Sequence, residues 1–245
     1  MSKTLITITG NWQKDYYSNW IECETTWVPK LREKGYDVIY LMSNPHLDKD
    51  YELIGNFFFS KCDDTKYDIY LKAEYYISKY ILDETDYEFR FHTDSDSFVH
   101  VDRFIKFIED YTVNNPKDYV GCAIPYPGLN WDHLVQREFD SKDLWASGGS
   151  GFLLSKKSMY HLYHDFDRNK YQDTIFEDKI VGEILYNAGI NLFHDSRLLF
   201  SSPYKQTIGN SIGKPINFIG NKDSFLAVQH YCDGHMKELM HLLNI

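Results

Sequence analysis

The chain contains 245 residues, 43% of them hydrophobic, which is enough to bury a substantial core within one compact domain. Its formal net charge of -10, from 26 Lys and Arg against 36 Asp and Glu, argues against a general nucleic-acid binder. An acidic protein that handles an anionic nucleotide needs a bound cation or a local basic cluster.

The first part of the chain predicts a β-α-β unit. Thr4–Thr9 is a β-branched run that ends at Gly10, which predicts a buried strand, and a polar loop follows over Asn11–Asn19. Apolar residues at helical spacing predict a helix over Trp20–Lys34, and Asp37–Met42 predicts the second strand. The right-handed crossover of such a unit places the loops after both strands at the same edge of the sheet.

Two acidic residues follow the next long strand. Phe57–Phe59 predicts a short strand and Tyr67–Leu82 a helix, after which Phe89–His92 predicts a buried strand. Asp94 and Asp96 come directly after it, one residue apart. Ligands of open α/β sheets bind outside the carboxyl ends of the strands, so we expect these two carboxylates at a ligand-binding edge.

The second half of the chain predicts shorter elements and long loops. In chain order these are a helix (Asp102–Tyr111), a strand (Tyr119–Ile124), a loop (Pro125–Asp143), a strand interrupted by glycines (Leu144–Ser155), two helices (Lys156–His164 and Glu177–Ala188), an extended segment (Ile190–Phe200) and a loop (Ser201–Asn221). Long loops in compact enzymes are usually functional, and we expect the last one to close over a ligand.

Cysteine usage and the apolar runs predict a soluble, cytoplasmic protein with free thiols. The four cysteines form no C-x-x-C pair, which argues against a zinc site or a disulfide scaffold. No window reaches the roughly 18 apolar residues of a membrane-spanning helix, and the N-terminal apolar run is too short for a signal peptide. Walker, G-x-G-x-x-G and H-E-x-x-H motifs are absent, which argues against P-loop kinases, nicotinamide dehydrogenases and zinc metalloproteases.

Several residues could carry chemistry, each beside a structural alternative. Asp94-Ser95-Asp96 suits a hard cation such as Mg²⁺ or Mn²⁺, whereas a solvated turn is the alternative. Glu177 and Asp178 begin a predicted helix, where an acid could act as a general base or simply favour the helix N-terminus. His230 could supply an imidazole to the cation. The glycines of Ser147–Gly151 need backbone freedom or close approach, and a bulge is the alternative.

A series of motifs resembles a known group of glycosyltransferases. The motifs are Lys72 in a helix, FHTDSDSFVHVDRF from Phe91, WASGGSGFLLS from Trp145, FEDKIVGEIL from Phe176, and the late His230. In this order and separation they resemble the Fringe and β-1,3-galactosyltransferase group, glycosyltransferase family 31, over residues 57–232. The resemblance implies a UDP-sugar donor, Mn²⁺ (or Mg²⁺) and inversion of the anomeric centre.

The resemblance also implies a fold. Members have the GT-A fold, a single α/β domain with a Rossmann-like, mostly parallel sheet flanked by helices. We therefore expect one catalytic domain over residues 1–245, with a nucleotide-binding half in residues 1–102 and an acceptor-binding half in residues 103–245.

On the donor side, the resemblance implies a metal-binding role for three residues. Asp94 and Asp96 match the acidic metal motif of the family, and Asp96 is the expected direct ligand. Ser95 replaces the middle acid that is usual in the family. His230 matches the C-terminal metal-binding histidine, with His235 as the alternative because the preceding loop aligns poorly.

On the acceptor side, the resemblance implies the catalytic base. Gly148, Gly149 and Gly151 match the glycine-rich strand beside the acceptor. Glu177 and Asp178 match the acidic pair that precedes a helix, so Asp178 is the expected base and Glu177 its neighbour in the acceptor site.

Further contacts complete the predicted site. On the donor side we expect the nucleoside to contact the first strand's loop, and the donor-binding residues to be Thr9, Gly10, Trp12, Lys72, Asp94 and Ser95. Sugar rings could stack on the indoles of Trp131 and Trp145, although core packing is an alternative for Trp145. Lys205 or Lys214 could bring positive charge to the diphosphate.

The sequence therefore predicts a metal-dependent inverting glycosyltransferase that moves a sugar from a UDP-sugar to a hydroxyl of a glycan or glycoconjugate. Two alternatives stay open: a nucleotidyltransferase or pyrophosphatase on a similar sheet, and a catalytically silent carbohydrate-binding protein. Animal members of the group are Golgi-anchored and disulfide-bonded, whereas neither feature is predicted here. The donor sugar and the acceptor therefore cannot be inherited from the resemblance.

Overall fold

The computed structural model describes residues 3–10, 14–65, 67–124, 134–199, 225–230, 232, 234 and 236–243. Their strands are β1 (Thr4–Thr9), β2 (Asp37–Ser43), β3 (Tyr51–Ile54), β4 (Phe57–Ser60), β5 (Phe89–Asp94), β6 (Phe98–Val99), β7 (Tyr119–Gly121), β8 (Ala123–Ile124), β9 (Gln136–Phe139), β10 (Trp145–Ala146), β11 (Phe152–Ser155), β12 (Leu192–Asp195), β13 (Leu198–Leu199) and β14 (Val228–Gln229). The helices are α1 (Lys14–Thr25), α2 (Val28–Glu33), α3 (Tyr76–Glu84), α4 (Val101–Glu109), α5 (Lys156–His164), α6 (Arg168–Tyr171), α7 (Glu177–Asn187) and α8 (Met236–Leu243). Two π-helical segments, Leu71–Tyr75 and Asp110–Asn114, adjoin α3 and α4.

Nine of the described strands form one sheet, in the order β3-β4-β2-β1-β5-β11-β7-β12-β9. Six of them, β4, β2, β1, β5, β7 and β12, run in the same direction, while β3, β9 and β11 run against them. The predicted α/β class with a mostly parallel sheet is therefore confirmed. At the carboxyl edge of the parallel strands, Thr9 of β1 aligns with Asp94 of β5, and the reversed β11 begins at the same edge.

The two faces of the sheet carry separate apolar clusters, because alternate residues of a strand point to opposite sides. Phe91 of β5 belongs to one cluster, together with Trp27 and Phe104 from the helices on that side. Phe152 of β11 belongs to the other, together with Tyr70 and Val181. The two clusters bury β5 at the centre of the sheet between them. The backbone at the carboxyl end of β5 is therefore held by packing on both faces of the sheet.

Several predicted elements differ from the structure. The predicted loop Asn11–Asn19 is helical from Lys14, and the predicted helix Trp20–Lys34 is split before α2. Pro29 at the start of α2 lacks the N–H that would continue a helix, which explains the break. The predicted strand Leu144–Ser155 is two strands, since β10 pairs with β8 in a separate ribbon while β11 joins the main sheet.

The late part of the chain returns to the middle of the molecule through a small sheet. In it β14 pairs with β13 and with β6, so Val228 lies opposite Val99. The predicted loop Pro125–Asp143 contains β9, and the predicted loop Ser201–Asn221 lies outside the described residues. Within the described residues, no helix is both long enough and apolar enough to cross a membrane.

Candidate active site

Asp94 and Asp96 lie on a turn at the carboxyl end of β5. Two backbone hydrogen bonds of 3.2 Å shape this turn, from Ser95 N to Thr9 O and from Ser97 N to Asp94 O. The side chains of Asp94 and Asp96 remain partly accessible, with 32% and 17% exposure. The two carboxylates therefore stand at the sheet edge where the sequence predicts them.

His230 completes a group of three possible cation ligands. Its Nε2 lies 3.1 Å from Asp96 Oδ1 and 3.9 Å from Asp94 Oδ2. One ligand atom from each residue lies within 4.8 Å of the other two, and no other such group of His, Cys, Asp and Glu occurs in the part of the chain that the structure describes. The alternative His235 lies outside that part.

The electrostatics and donor chemistry of this group fit a divalent cation. Burial, and then the neighbouring charge of Asp96, raises the pKa of Asp94 to about 7. Two carboxylates this close repel each other, and a cation between them would turn that repulsion into attraction. Carboxylate oxygens suit Mg²⁺ and Mn²⁺, and the imidazole of His230 adds a nitrogen ligand, which transition-metal ions accept more readily than Mg²⁺ does.

Gly149 packs directly against the imidazole of His230. A Cβ added to Gly149 would lie 2.0 Å from Cε1 of His230, so no other residue fits without displacing the ring. The carbonyl oxygen of Gly149 accepts hydrogen bonds from Thr93 Oγ1 at 3.0 Å and from Ser97 Oγ at 2.6 Å. Gly151 needs glycine because its φ is +88°. These hydrogen bonds hold the glycine turn, residues 148–151, against the residues around Asp94 and Asp96.

Asp178 enters the site from the first turn of α7. Its Oδ2 accepts a hydrogen bond from Gly148 N at 3.2 Å and its Oδ1 accepts one from Lys179 N at 2.8 Å. The N-cap residue is Phe176, so Asp178 is not the cap of this helix. Burial raises the pKa of Asp178 to about 6 and raises the pKa of Glu177 well above its usual value. A carboxylate with a raised pKa is better suited to accept a proton.

The predicted donor-side residues meet at the end of β1. Lys72 Nζ donates hydrogen bonds to Gly10 O and to Asp64 Oδ1, each at 2.8 Å. Lys72 is only 4% exposed, so its ammonium group is buried where it forms the hydrogen bond that holds the backbone at Gly10. Ser95 is buried between Asp94 and Asp96. The structure therefore brings these predicted residues to one edge.

On the predicted acceptor side, the structure brings Gly148, Gly149 and Glu177 together, whereas Trp145 packs against α7. The Cβ of Trp145 would lie 2.4 Å from a Cβ added to Gly182, and Lys179 Nζ lies 5.9 Å from the centroid of the Trp145 ring. Five residues of the predicted site lie outside the described residues: Trp12, Trp131, Lys205, Lys214 and His235.

Sequence reasoning missed a buried charged group formed by Glu74, Arg90 and His92. All three side chains have 0% exposure. The sequence does carry an indication of it, because Arg90, His92 and Asp94 recur at every second residue of β5, which is the period of one strand face. Polar residues on one face of a buried strand require partners.

Comparisons with known proteins give the chain a family and a fold. A family model described as Fringe-like matches residues 14–214. A solved glycosyltransferase involved in the glycosylation of the major capsid of PBCV-1 has a TM-score of 0.51 and 14% identity, over 98% of this chain and 100% of that one. The solved A197 from STIV has a TM-score of 0.42 and 13% identity, over 79% of this chain and 81% of that one. No curated protein matches the sequence.

Proposed function

Since the chain belongs to the Fringe-like family, we propose that it is a metal-dependent, inverting glycosyltransferase. It would transfer a sugar from a UDP-sugar to a hydroxyl of a glycan or glycoconjugate. The family supports glycosyl transfer as the reaction. The observation that carries the finer proposal is the grouping of Asp94, Asp96 and His230, whose ligand atoms lie within 4.8 Å of one another.

The three ligand residues would hold a divalent cation, Mn²⁺ in preference to Mg²⁺, beside the nucleotide diphosphate. A cation bound there would offset the negative charge that develops on the departing diphosphate. Asp96 would be the direct carboxylate ligand, because its Oδ1 is nearer to His230 Nε2 than is either oxygen of Asp94. Gly149 would keep the imidazole in place by closing off the space beside it.

Asp178 would take the proton from the attacking hydroxyl of the acceptor. As that oxygen forms a bond to the anomeric carbon, the bond from this carbon to the diphosphate oxygen breaks on the opposite side, so the configuration inverts. A pKa of about 6 leaves Asp178 ionised at neutral pH and still basic enough to help. The N–H of Gly148 would orient the carboxylate, while Glu177 and Trp145 would contact the acceptor.

The end of β1 would form the donor side of the pocket. Thr9 and Gly10, with Trp12, would contact the nucleoside, and Ser95 would lie beside the diphosphate. Lys72 would act by holding this loop, since its Nζ donates to the carbonyl of Gly10 at 2.8 Å.

Gly149→Ala should displace the imidazole of His230 and weaken cation binding. The added Cβ would lie 2.0 Å from Cε1 of His230, far inside any allowed contact. We expect the dissociation constant for Mn²⁺, measured by EPR of free Mn²⁺ during a titration, to rise about tenfold or more. Gly35→Ala is the control for adding a methyl group without a clash, because its Cβ would meet nothing within 4 Å. Its φ of +86° means that this control also includes backbone strain. Wild-type Mn²⁺ affinity in folded Gly149→Ala would contradict this prediction.

A thermal-shift panel of nucleotides and nucleotide sugars, with and without Mn²⁺, tests the proposed donor and cation. A ligand that binds only the folded protein raises its melting temperature. We expect UDP and at least one UDP-sugar to raise it only when Mn²⁺ is present. A Mn²⁺-dependent shift with a different nucleotide would show that the donor is wrong, and the absence of any Mn²⁺-dependent shift would reject the metal.

Product analysis then separates the proposed reaction from its rivals. A glycosyltransferase converts the UDP-sugar to UDP and joins the sugar to an acceptor hydroxyl. A pyrophosphatase would release UMP and a sugar phosphate, and a nucleotidyltransferase would form the UDP-sugar from UTP and a sugar phosphate. A silent carbohydrate-binding protein would release nothing.

A further inference from the structure

Three polar side chains are fully buried next to Asp94. Arg90 and His92 precede Asp94 at two-residue intervals in β5, so these three residues lie on the same face of the sheet. Glu74 faces them from the π-helical segment Leu71–Tyr75. The side chains of Glu74, Arg90 and His92 have 0% exposure. Burying such groups costs free energy unless each one has a partner.

The contacts form a chain that ends at Asp94. Arg90 Nη1 donates a hydrogen bond to Ala73 O at 3.0 Å, and Arg90 Nη2 donates one to Glu74 Oε2. The other carboxylate oxygen, Glu74 Oε1, lies 3.3 Å from His92 Nδ1. On the far side of the ring, His92 Nε2 lies 3.9 Å from Asp94 Oδ1. The imidazole therefore stands between two carboxylates.

The orientation of His92 is fixed by an aromatic ring. The imidazole stacks on the ring of Phe152 with 4.8 Å between centroids and an interplanar angle of 13°. Within the described residues, neither ring nitrogen of His92 has a hydrogen bond of good geometry. A buried polar atom without a partner costs about 1–3 kcal/mol. Packing alone does not explain such a residue, because phenylalanine would stack as well without that cost.

We infer that His92 is a positioning residue for Asp94, donating a hydrogen bond from Nε2 to its carboxylate, and that Glu74 and Arg90 hold the imidazole in place. This inference rests on the proposed function, in which Asp94 helps to hold the cation. A modest rotation of the Asp94 carboxylate would shorten the 3.9 Å separation from His92 Nε2 to a hydrogen bond. Carboxylates that bind metals are commonly held by such second contacts.

The protonation of Glu74 is consistent with this arrangement. Neutral imidazole has one N–H, so Nε2 of His92 can donate only if Nδ1 accepts. Glu74 can supply that hydrogen, because burial raises its pKa to about 7 although the charge of Arg90 acts to lower it.

Substitutions at His92 distinguish positioning from packing. His92→Phe keeps a stacked ring without nitrogens, His92→Gln places an amide N–H near the position of Nε2, and His92→Asn places one near the position of Nδ1. We expect the dissociation constant for Mn²⁺, measured by EPR titration, to rise about 10- to 100-fold in His92→Phe and His92→Asn. His92→Gln should stay within about threefold of the wild type, because it restores the contact with Asp94.

Glu74 supplies a second pair of variants in case His92→Phe does not fold. Glu74→Gln should keep Mn²⁺ affinity near that of the wild type, because its amide N–H can donate to His92 Nδ1 while its carbonyl accepts from Arg90. Glu74→Leu can do neither, so it should weaken Mn²⁺ binding as His92→Phe does. Melting temperatures in the absence of metal check that each variant is folded.

His161→Gln is the matched control, because His161 contacts Asp165 at 2.7 Å on α5 and belongs to a separate pair. Its Mn²⁺ affinity should equal that of the wild type. If folded His92→Phe binds Mn²⁺ as tightly as the wild type, or if His92→Gln is no better than His92→Phe, the inference is overturned and the proposed function stands. Wild-type protein that binds no Mn²⁺ would overturn both.

Discussion

Asp178→Asn should lower the turnover number about 10²- to 10⁴-fold, the usual contribution of a general base. The substitution removes the proton acceptor and keeps an oxygen that can accept from Gly148 N, 3.2 Å away in the wild type. The turn at Gly148 should therefore keep its geometry, although Lys179 N loses the acceptor that Asp178 Oδ1 provides at 2.8 Å in the wild type. The measurement is the rate of UDP release from the active UDP-sugar in the presence of an acceptor.

The cation and the nucleotide should still bind to Asp178→Asn, because Asp178 is not one of the three grouped ligand residues. Asp173→Asn is the control, since it removes the same charge from an exposed position in the loop before α7. In the wild type, turnover should rise as the pH is raised through about 6, where Asp178 loses its proton. A turnover number for Asp178→Asn close to that of the wild type would show that another group takes the proton.

The acidic pair could be predicted from the sequence because its position depends on local features. Phe89–Asp94 is a buried strand, and the pattern of apolar residues ends where the acids begin. Once the alternation of strands and helices indicates a mostly parallel sheet, the end of a central strand falls at the ligand-binding edge. The sequence therefore places Asp94 and Asp96 at that edge, and contacts distant in sequence, such as the bond from Ser95 N to Thr9 O, only shape the turn that carries them.

The approach of His230 depends on contacts that the sequence pattern does not reveal. β14 has only two residues, Val228 and Gln229, and pairs with the equally short β6. Two residues are too few to show a period, so neither pairing nor register can be read from them. The sequence alone offers His230 as one of ten histidines that could reach the cation, and the family resemblance favours it although the preceding segment aligns poorly.

The π-helical segment hid the buried group around Glu74. Leu71, Lys72, Ala73 and Glu74 are buried one after another, whereas an α-helix with one apolar face would turn some of them to solvent. A widened turn of this kind is often found at functional sites. The π-helical segment directs the side chain of Lys72 toward the backbone after β1 and the side chain of Glu74 toward His92. The periodicity of a regular α-helix does not predict these two side-chain directions.

Asp96→Asn should raise the dissociation constant for Mn²⁺ by at least about 100-fold. This exceeds the roughly 10- to 100-fold rise expected when a residue that only orients a ligand is lost. The amide keeps the shape of the carboxylate but not the charge that attracts the cation. The fold should survive, because the bond from Cys232 N to Asp96 O, 2.7 Å long, involves only backbone atoms. Asp94→Asn should have a smaller effect, because the nearest distance from Asp94 to His230 Nε2 is 3.9 Å, against 3.1 Å for Asp96.

Asp102→Asn is the control for charge alone, since it removes one exposed carboxylate from the first turn of α4, six residues after Asp96. Charge effects at such a distance are screened by salt, so its Mn²⁺ affinity should change little. Asp94 ends β5 and His230 follows β14, so a bound cation would link separate parts of the chain. Mn²⁺ should therefore raise the melting temperature of the wild type and of Asp102→Asn but not of Asp96→Asn. An equal rise in all three proteins would place the cation elsewhere and contradict direct binding by Asp96.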